Sequence, residues 1–196
     1  TARMLSAMRK LFQYLYREKY RTDDPSAVLS SPKLPSRLPK YLTEQQVTDL
    51  LNTPDVEIPL ELRDKAMLEL LYATGLRVTE LVTLTIENMN LQQGVVRVIG
   101  KGNKERTIYL NKACVKAIGE YIAVRTKIGV KPDKLHSDKA LFLSERKERI
   151  SRRTVQHIVY TKLLAAGLDP SKYSTHKLRH TAATLMYKYG EVDIRA

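Results

Sequence analysis

Apolar residues recur along this chain at two different periods, and the change of period shows how it is organised. Leu5, Met8, Phe12 and Leu15 fall three and four residues apart, which predicts an amphipathic helix over about residues 2–18. Its other face carries Arg3, Arg9, Lys10, Arg17 and Lys19. Between Ser30 and Lys40, Pro32, Pro35 and Pro39 forbid a continuous helix, so this stretch reads as an extended, semi-rigid basic linker. Helical spacing then returns. Thr43-Glu44-Gln45-Gln46 has the capping-box pattern ahead of Val47, Leu50 and Leu51. A longer helix is expected over 60–74, with Met67, Leu70 and Leu71 inward and Arg63, Asp64 and Glu69 outward. Gly75 ends it, and Arg77 to Leu84 begins another.

From Gly94 the period shortens. Val95 to Ile99 is a β-branched run, Gly100-Lys101-Gly102-Asn103 is turn chemistry, and Glu105 to Leu110 reads as a second strand. The resulting hairpin presents Lys101 at its turn. Helices are expected again at 111–126 (Val115, Ile118, Ile122), 152–166 (Val155, Ile158, Val159, Leu163) and about 174–189, the last closed by Gly190. Pro132 to Leu143 reads as a loop ending in a short apolar piece. The expected fold class is mainly α with a small antiparallel β-sheet (α+β). Residues 1–28 form the last helix of a preceding domain, 29–41 the linker, and 42–196 the main domain.

Charge sharpens this picture. Lys+Arg number 34 against 21 Asp+Glu, a net +13, and such a field attracts polyanions such as a phosphate backbone. With 43% hydrophobic residues the chain can bury a core, which excludes global disorder. The single Cys114 excludes an internal disulfide framework and fits a reducing compartment, so a cytoplasmic location is expected. No apolar run approaches the ~18 residues of a membrane span, and no signal-peptide pattern opens the chain. Thr1 falls inside a helical pattern, so the chain is expected to be cut from something longer.

Four side chains could do chemistry together. Arg77 lies at the first turn of a helix, where unpaired N–H groups and the positive dipole end favour an anion. His176 and Arg179, three apart, share one helical face. Lys101 can reach from its turn into a groove. Singly, each is an ordinary surface charge, cap or ion-pair partner. Glu80 can hold the Arg77 guanidinium, or simply be an i,i+3 ion pair. His180 falls on a different face from Arg179 and reads as a supporting or structural histidine. His176 and His180 also have an i,i+4 zinc spacing, but no Glu follows His176 and no third ligand is apparent, so no metal is expected. Two permanently charged, forked guanidiniums suit the non-bridging oxygens of a five-coordinate phosphorus, and a lysine with a lowered pKa can protonate a departing 5′ oxygen. That chemistry needs no metal.

Three boxes in order carry a resemblance. Leu71 to Leu81 (LYATGLRVTEL) resembles the first-arginine box of the tyrosine recombinases, Val98 to Arg106 (VIGKGNKER) their lysine hairpin, and His176 to Thr184 (HKLRHTAAT) their H-x-x-R box. The match is nearest to bacterial Xer recombinases, especially the XerD type. Residues 111–170 look more like integrases of mobile elements.

The resemblance implies a catalytic domain of the tyrosine recombinase (phage integrase) family, with Arg77, Lys101, His176 and Arg179 catalytic and Glu80 and His180 in support. Lys101 would protonate the leaving oxygen. His176 would bond the phosphate or help handle the nucleophile's proton. Arg3, Arg9, Lys10, Lys33, Arg37, Lys40 and Lys104 would contact DNA. The family's nucleophilic tyrosine lies beyond the H-x-x-R box. Tyr187 and Tyr189 follow Arg179 too soon to be it, so no nucleophile is assigned in this chain, which should bind but not cleave DNA. No cofactor is implied. The partners implied are a double-stranded recombination site and, for the whole enzyme, a homo- or hetero-tetramer on DNA, joined in Xer systems by a second recombinase and the translocase FtsK. This piece alone is expected to be monomeric. The biological outcome implied is chromosome-dimer resolution or mobile-element integration and excision. A competing reading is a non-catalytic DNA-binding protein that keeps the phosphate clamp. An RNA-binding helical domain would need a stacking motif that two Phe and no Trp do not supply.

Overall fold

Every helix anticipated from the apolar spacing forms, with ends within about two residues of the expected ones, in a computed structural model that describes residues 2–30, 41–100, 102–128 and 139–189. The chain divides into two units, Thr1–Leu38 and Pro39–Ala196. The first holds α1 (Ala2–Arg17), whose Leu5, Phe12 and Leu15 are half-buried while Met4, Leu11 and Tyr14 stay exposed. The segment after α1 folds back on it. Arg9 donates to the Leu29 carbonyl, and the Arg21 guanidinium lies 5.9 Å over the Phe12 ring. Among the described residues no helix is long and apolar enough to cross a membrane.

The second unit is built around α3 (Pro59–Thr74), preceded by α2 (Glu44–Leu51). Thr43 caps α2 as its sequence foretells: its hydroxyl accepts from Gln46 N–H at 3.2 Å, and the Gln46 side chain accepts from Thr43 N–H at 3.0 Å. Pro59 opens α3, where its missing N–H costs nothing, and Gly75 closes it in the left-handed region (φ 57°). Helix α3 packs against α2, α5 (Lys112–Ile128) and α7 (Thr175–Tyr189), and that corrects one expectation. Arg63, Asp64 and Glu69 were expected outward; all three are buried. A helix enclosed on several sides buries its polar positions too, and each then needs a partner inside. Arg63 donates to Asp64 Oδ1 at 2.7 Å and to the Leu143 carbonyl at 3.0 Å; Lys65 lies 3.4 Å from Glu69.

Next come α4 (Val78–Thr83), a 3₁₀ turn (Ile86–Asn88) and a three-stranded antiparallel sheet in the order β1 (Met89–Asn90), β2 (Val95–Ile99), β3 (Glu105–Tyr109). The two-residue β1 escapes the sequence pattern because it is too short to alternate. Val96 and Val98 face the core, opposite Ile108 and Arg106; Arg97 and Ile99 face outward. On α5 the buried face is turned by one residue from the expected one. Cys114, Ala117, Ile118, Tyr121 and Arg125 are buried, while Val115 and Ile122 are only half-buried. Polar reach explains the turn: Tyr121 accepts the Leu143 N–H at 3.1 Å, and Arg125 donates to the Ala140 carbonyl at 2.6 Å. The strand-like piece Ala140–Leu143 is thereby fixed beside α4, where Leu141 N–H also reaches the Leu84 carbonyl at 3.0 Å. Helix α6 (Arg152–Ala165), N-capped by Ser151, buries Val155, Ile158, Val159 and Leu163 as expected. Leu42 N–H donates to the buried Thr181 hydroxyl at 3.0 Å, tying the start of this unit to α7.

Candidate active site

The turn after α3 places the first arginine. Gly75 adopts φ 57°, which costs other residues about 1–2 kcal/mol, and the helix ends there. Leu76 is driven into the core, and Arg77 emerges as the N-cap of α4 with its side chain 53% exposed. Three residues on, Glu80 is buried. Its Oε2 accepts the Arg77 N–H at 2.9 Å and its Oε1 the Arg77 Nη1 at 3.2 Å. One of the helix-start N–H groups that could have received an anion, that of Arg77, is thus already taken by this carboxylate.

Helix α7 brings the second arginine. The Arg179 guanidinium donates to the Gly75 carbonyl, and a Cβ at Gly75 would lie 3.6 Å from Arg179 Cγ. Burial lowers the Arg179 pKa, the positive charges of Arg77 and Arg106 lower it further, and Glu80 opposes them. Arg179, far along the sequence, therefore shares one electrostatic neighbourhood with Arg77 and Glu80. Burial alone would raise the Glu80 pKa, but hydrogen bonds from Arg106 and Arg77 outweigh it and hold the carboxyl below its ordinary value.

Arg106 is the member that the sequence reading passed over. Its Nη2 lies 3.0 Å from Glu80 Oε2. The signal was present: on β3 it alternates with exposed Glu105 and Thr107 and shares a face with Ile108, so period two points it inward. A cleft of about 400 Å³ lined by Arg77, Thr79, Glu80, Thr83, Ile99 and Gly100 opens beside this cluster.

The other expected residues fall as follows. Lys101 lies outside the described residues; its neighbour Gly100 donates to the Lys104 carbonyl at 2.8 Å across the turn, and Lys104 is exposed. His176 is exposed at the start of α7, three residues before Arg179, and lines a hollow of about 210 Å³ with Gln156 and Tyr160 of α6 and Tyr173 of the segment before α7. His180 is exposed. Arg3 and Lys10 are exposed on α1, whereas Arg9 is half-buried and bonded to Leu29. Lys33, Arg37 and Lys40 lie outside the described residues, as do the side chains of Tyr187 and Tyr189. Chemically, the described cluster holds two guanidiniums on one buried carboxylate and a third, that of Arg179, within its electrostatic reach, a net positive group.

Comparison with known proteins identifies the family. The chain is 61% identical over 195 residues to the tyrosine recombinase XerD of Haemophilus influenzae, and 60% identical over 197 residues to that of Pasteurella multocida. All of this chain is covered in both, but only 64% of either relative. Among solved structures, XerA recombinase superposes with a TM-score of 0.69 at 29% identity, covering 97% of this chain and 62% of that one. The model of the phage integrase family matches residues 40–196, which include every member of the arginine cluster. The chain belongs to the phage integrase family.

Proposed function

We propose that this chain is the phosphate-activating part of a site-specific tyrosine recombinase acting on double-stranded DNA. The observation that carries the reading is the convergence on one electrostatic neighbourhood of Arg77, fastened to the buried Glu80 carboxylate with its fork half-exposed, and Arg179, bonded to the Gly75 carbonyl. Phosphate geometry accounts for that convergence. Two guanidiniums, which cannot lose their protons, bind the non-bridging oxygens and stabilise the extra charge of the five-coordinate state. The tyrosine oxygen bonds to phosphorus as the bond to O5′ breaks. The phenol loses one proton and O5′ gains one, so none is consumed overall. In this reading Lys101 supplies the proton to O5′, and His176 bonds the phosphate or handles the phenolic proton. Glu80 holds Arg77, and His180 has a supporting place. Bond energy stays in the 3′-phosphotyrosine, and the second strand's 5′ hydroxyl reverses the step.

The nucleophilic tyrosine is not assigned among these residues. Residues 1–28 close an N-terminal DNA-binding domain, 29–41 link it, and 42–196 belong to the catalytic domain. Arg3, Arg9, Lys10, Lys33, Arg37, Lys40 and Lys104 hold the backbone. The whole enzyme works as a tetramer on its recombination site. The similarity to XerD favours chromosome-dimer resolution with a second recombinase and FtsK over mobile-element integration.

The test uses the full-length protein and a nicked duplex that traps the covalent intermediate. A 3′-linked protein–DNA complex is expected, and it disappears in Arg77→Gln and Arg179→Gln while duplex affinity falls little. Affinity lost in step with the substitutions, with no covalent complex in the parent protein, would establish a pure DNA binder instead. Affinity should also fall steeply with salt, by a log–log slope of about −0.9 per phosphate neutralised; a flat profile ends the polyanion reading.

A further inference from the structure

Arg106 has no part in the roles assigned above, yet it makes the contact that closes the cluster. Glu80 offers two oxygens to three donors. Oε1 takes Arg77 Nη1, and Oε2 is shared between the Arg77 N–H and Arg106 Nη2. The carboxylate is buried and belongs to α4, the guanidinium of Arg106 to β3. One carboxylate therefore fastens a strand start to a helix start. Among the described residues the half-exposed Arg77 side chain has one hydrogen bond, the one to Oε1. Its direction follows the plane of the Glu80 carboxylate, and Arg106 holds that plane from β3 by sharing the other oxygen with the Arg77 N–H.

Gly100 supports the same assignment. It has no left-handed φ, so conformation does not require glycine there. Space does: a Cβ at Gly100 would lie 2.8 Å from Arg106 Nη1 and 3.7 Å from Glu80 Oε1. The neck of the hairpin is left bare where the Arg106 guanidinium passes over it.

We propose that Arg106 is a positioning residue that, through Glu80, locks β3 to the start of α4 and so aims the Arg77 guanidinium at the phosphate. Its functional half rests on the recombinase reading; its geometric half does not. The experiment therefore has two arms, both run on the full-length protein containing this chain. The first measures the single-turnover rate of covalent complex formation on nicked duplex, beside duplex affinity at matched salt. The second follows the Arg77 Nε–Hε NMR signal and the carboxyl titration of Glu80, without DNA.

Arg106→Gln is expected to slow covalent formation at least tenfold while affinity changes less than threefold. It should also move the Arg77 signal and raise the Glu80 pKa. Arg106→Lys should recover more of the rate than Arg106→Gln, since it keeps the positive charge opposite the Glu80 carboxylate. Gly100→Ala should act like Arg106→Gln with the arginine still present, because the new Cβ meets the far end of a side chain that can swing away. An unchanged rate and an unmoved Arg77 signal in both Arg106→Gln and Gly100→Ala would overturn the proposal. So would an affinity loss equal to the rate loss with the Arg77 signal unmoved, which would make Arg106 a direct phosphate contact. If the parent protein forms no covalent complex, the recombinase reading falls, and the Arg77 signal alone decides whether Arg106 positions it.

Discussion

Two arginine–carboxylate pairs flank the turn at Gly75, and they are finished in opposite ways. On α3 both partners are enclosed, with side chains 3% and 8% exposed, and Arg63 spends a further donor on the Leu143 carbonyl. On α4 the carboxylate is equally enclosed, at 6%, but its arginine is 53% exposed and keeps part of its fork facing outward. The first pair braces the body. The second anchors one end of a cation and leaves the other exposed, where the proposed function seats a phosphate. Burial of the acid is common to both, so what separates a brace from a site is how many guanidinium donors the protein itself consumes.

Breaking each pair should separate the two roles. Arg63→Met leaves Asp64 buried without its partner and should lower stability by about 3–5 kcal/mol in urea unfolding. Replacing both, Arg63→Met with Asp64→Leu, should regain most of that; failure to regain it would mean the pair does more than brace. Arg77→Gln should raise the strand-cleavage barrier of the full-length protein by about 2.7–4 kcal/mol, roughly 10²–10³ in rate. Its stability should move by less than about 1 kcal/mol, as for a half-exposed ion pair. A large stability loss there would erase the contrast.

Glu80→Gln sharpens it further. The wild-type carboxyl has a folded pKa below its unfolded one, so its stabilisation is complete above the ordinary carboxylate value and is lost as pH falls through the lowered one. Wild-type stability should therefore decline in acid more than that of the variant. The gap at neutral pH should be about 1.5–3 kcal/mol, the worth of a charge-assisted hydrogen bond. Gly75→Ala should cost the least, about 1–2 kcal/mol from φ 57° alone. Its Cβ would make only ordinary contact with Arg179, so cleavage should barely change; a collapse of cleavage would show that Gly75 is needed for room as well.

The helical frame was legible because Leu70, Leu71, Val155 and Leu163 fall at helical spacing and burial rewards that spacing directly. Arg63, Asp64 and Glu69 were misread for the same reason: periodicity assigns polar residues to solvent, and cannot see that several elements surround α3. The turn of the α5 face toward Tyr121 and Arg125 had no local cause either, since it depends on carbonyls and amides near Ala140 and Leu143. In the site, Arg77, Glu80 and Arg179 could be named from spacing and resemblance. Their meeting could not, because the Gly75–Arg179 contact is tertiary. Arg106 lay between these cases. Its alternation with Glu105 and Thr107 was readable, but a charged residue on an inward face looks like an error until Glu80 is found opposite.

The bond from Arg179 to the Gly75 carbonyl joins positions 104 residues apart. At a synthesis rate of roughly 5–20 residues per second, the ribosome takes roughly 5–20 s to travel from one to the other. For that interval a nascent chain carries Arg77 and Glu80 without the second guanidinium. The proposed phosphate grip is thus completed late, after most of the body that must aim it has been made.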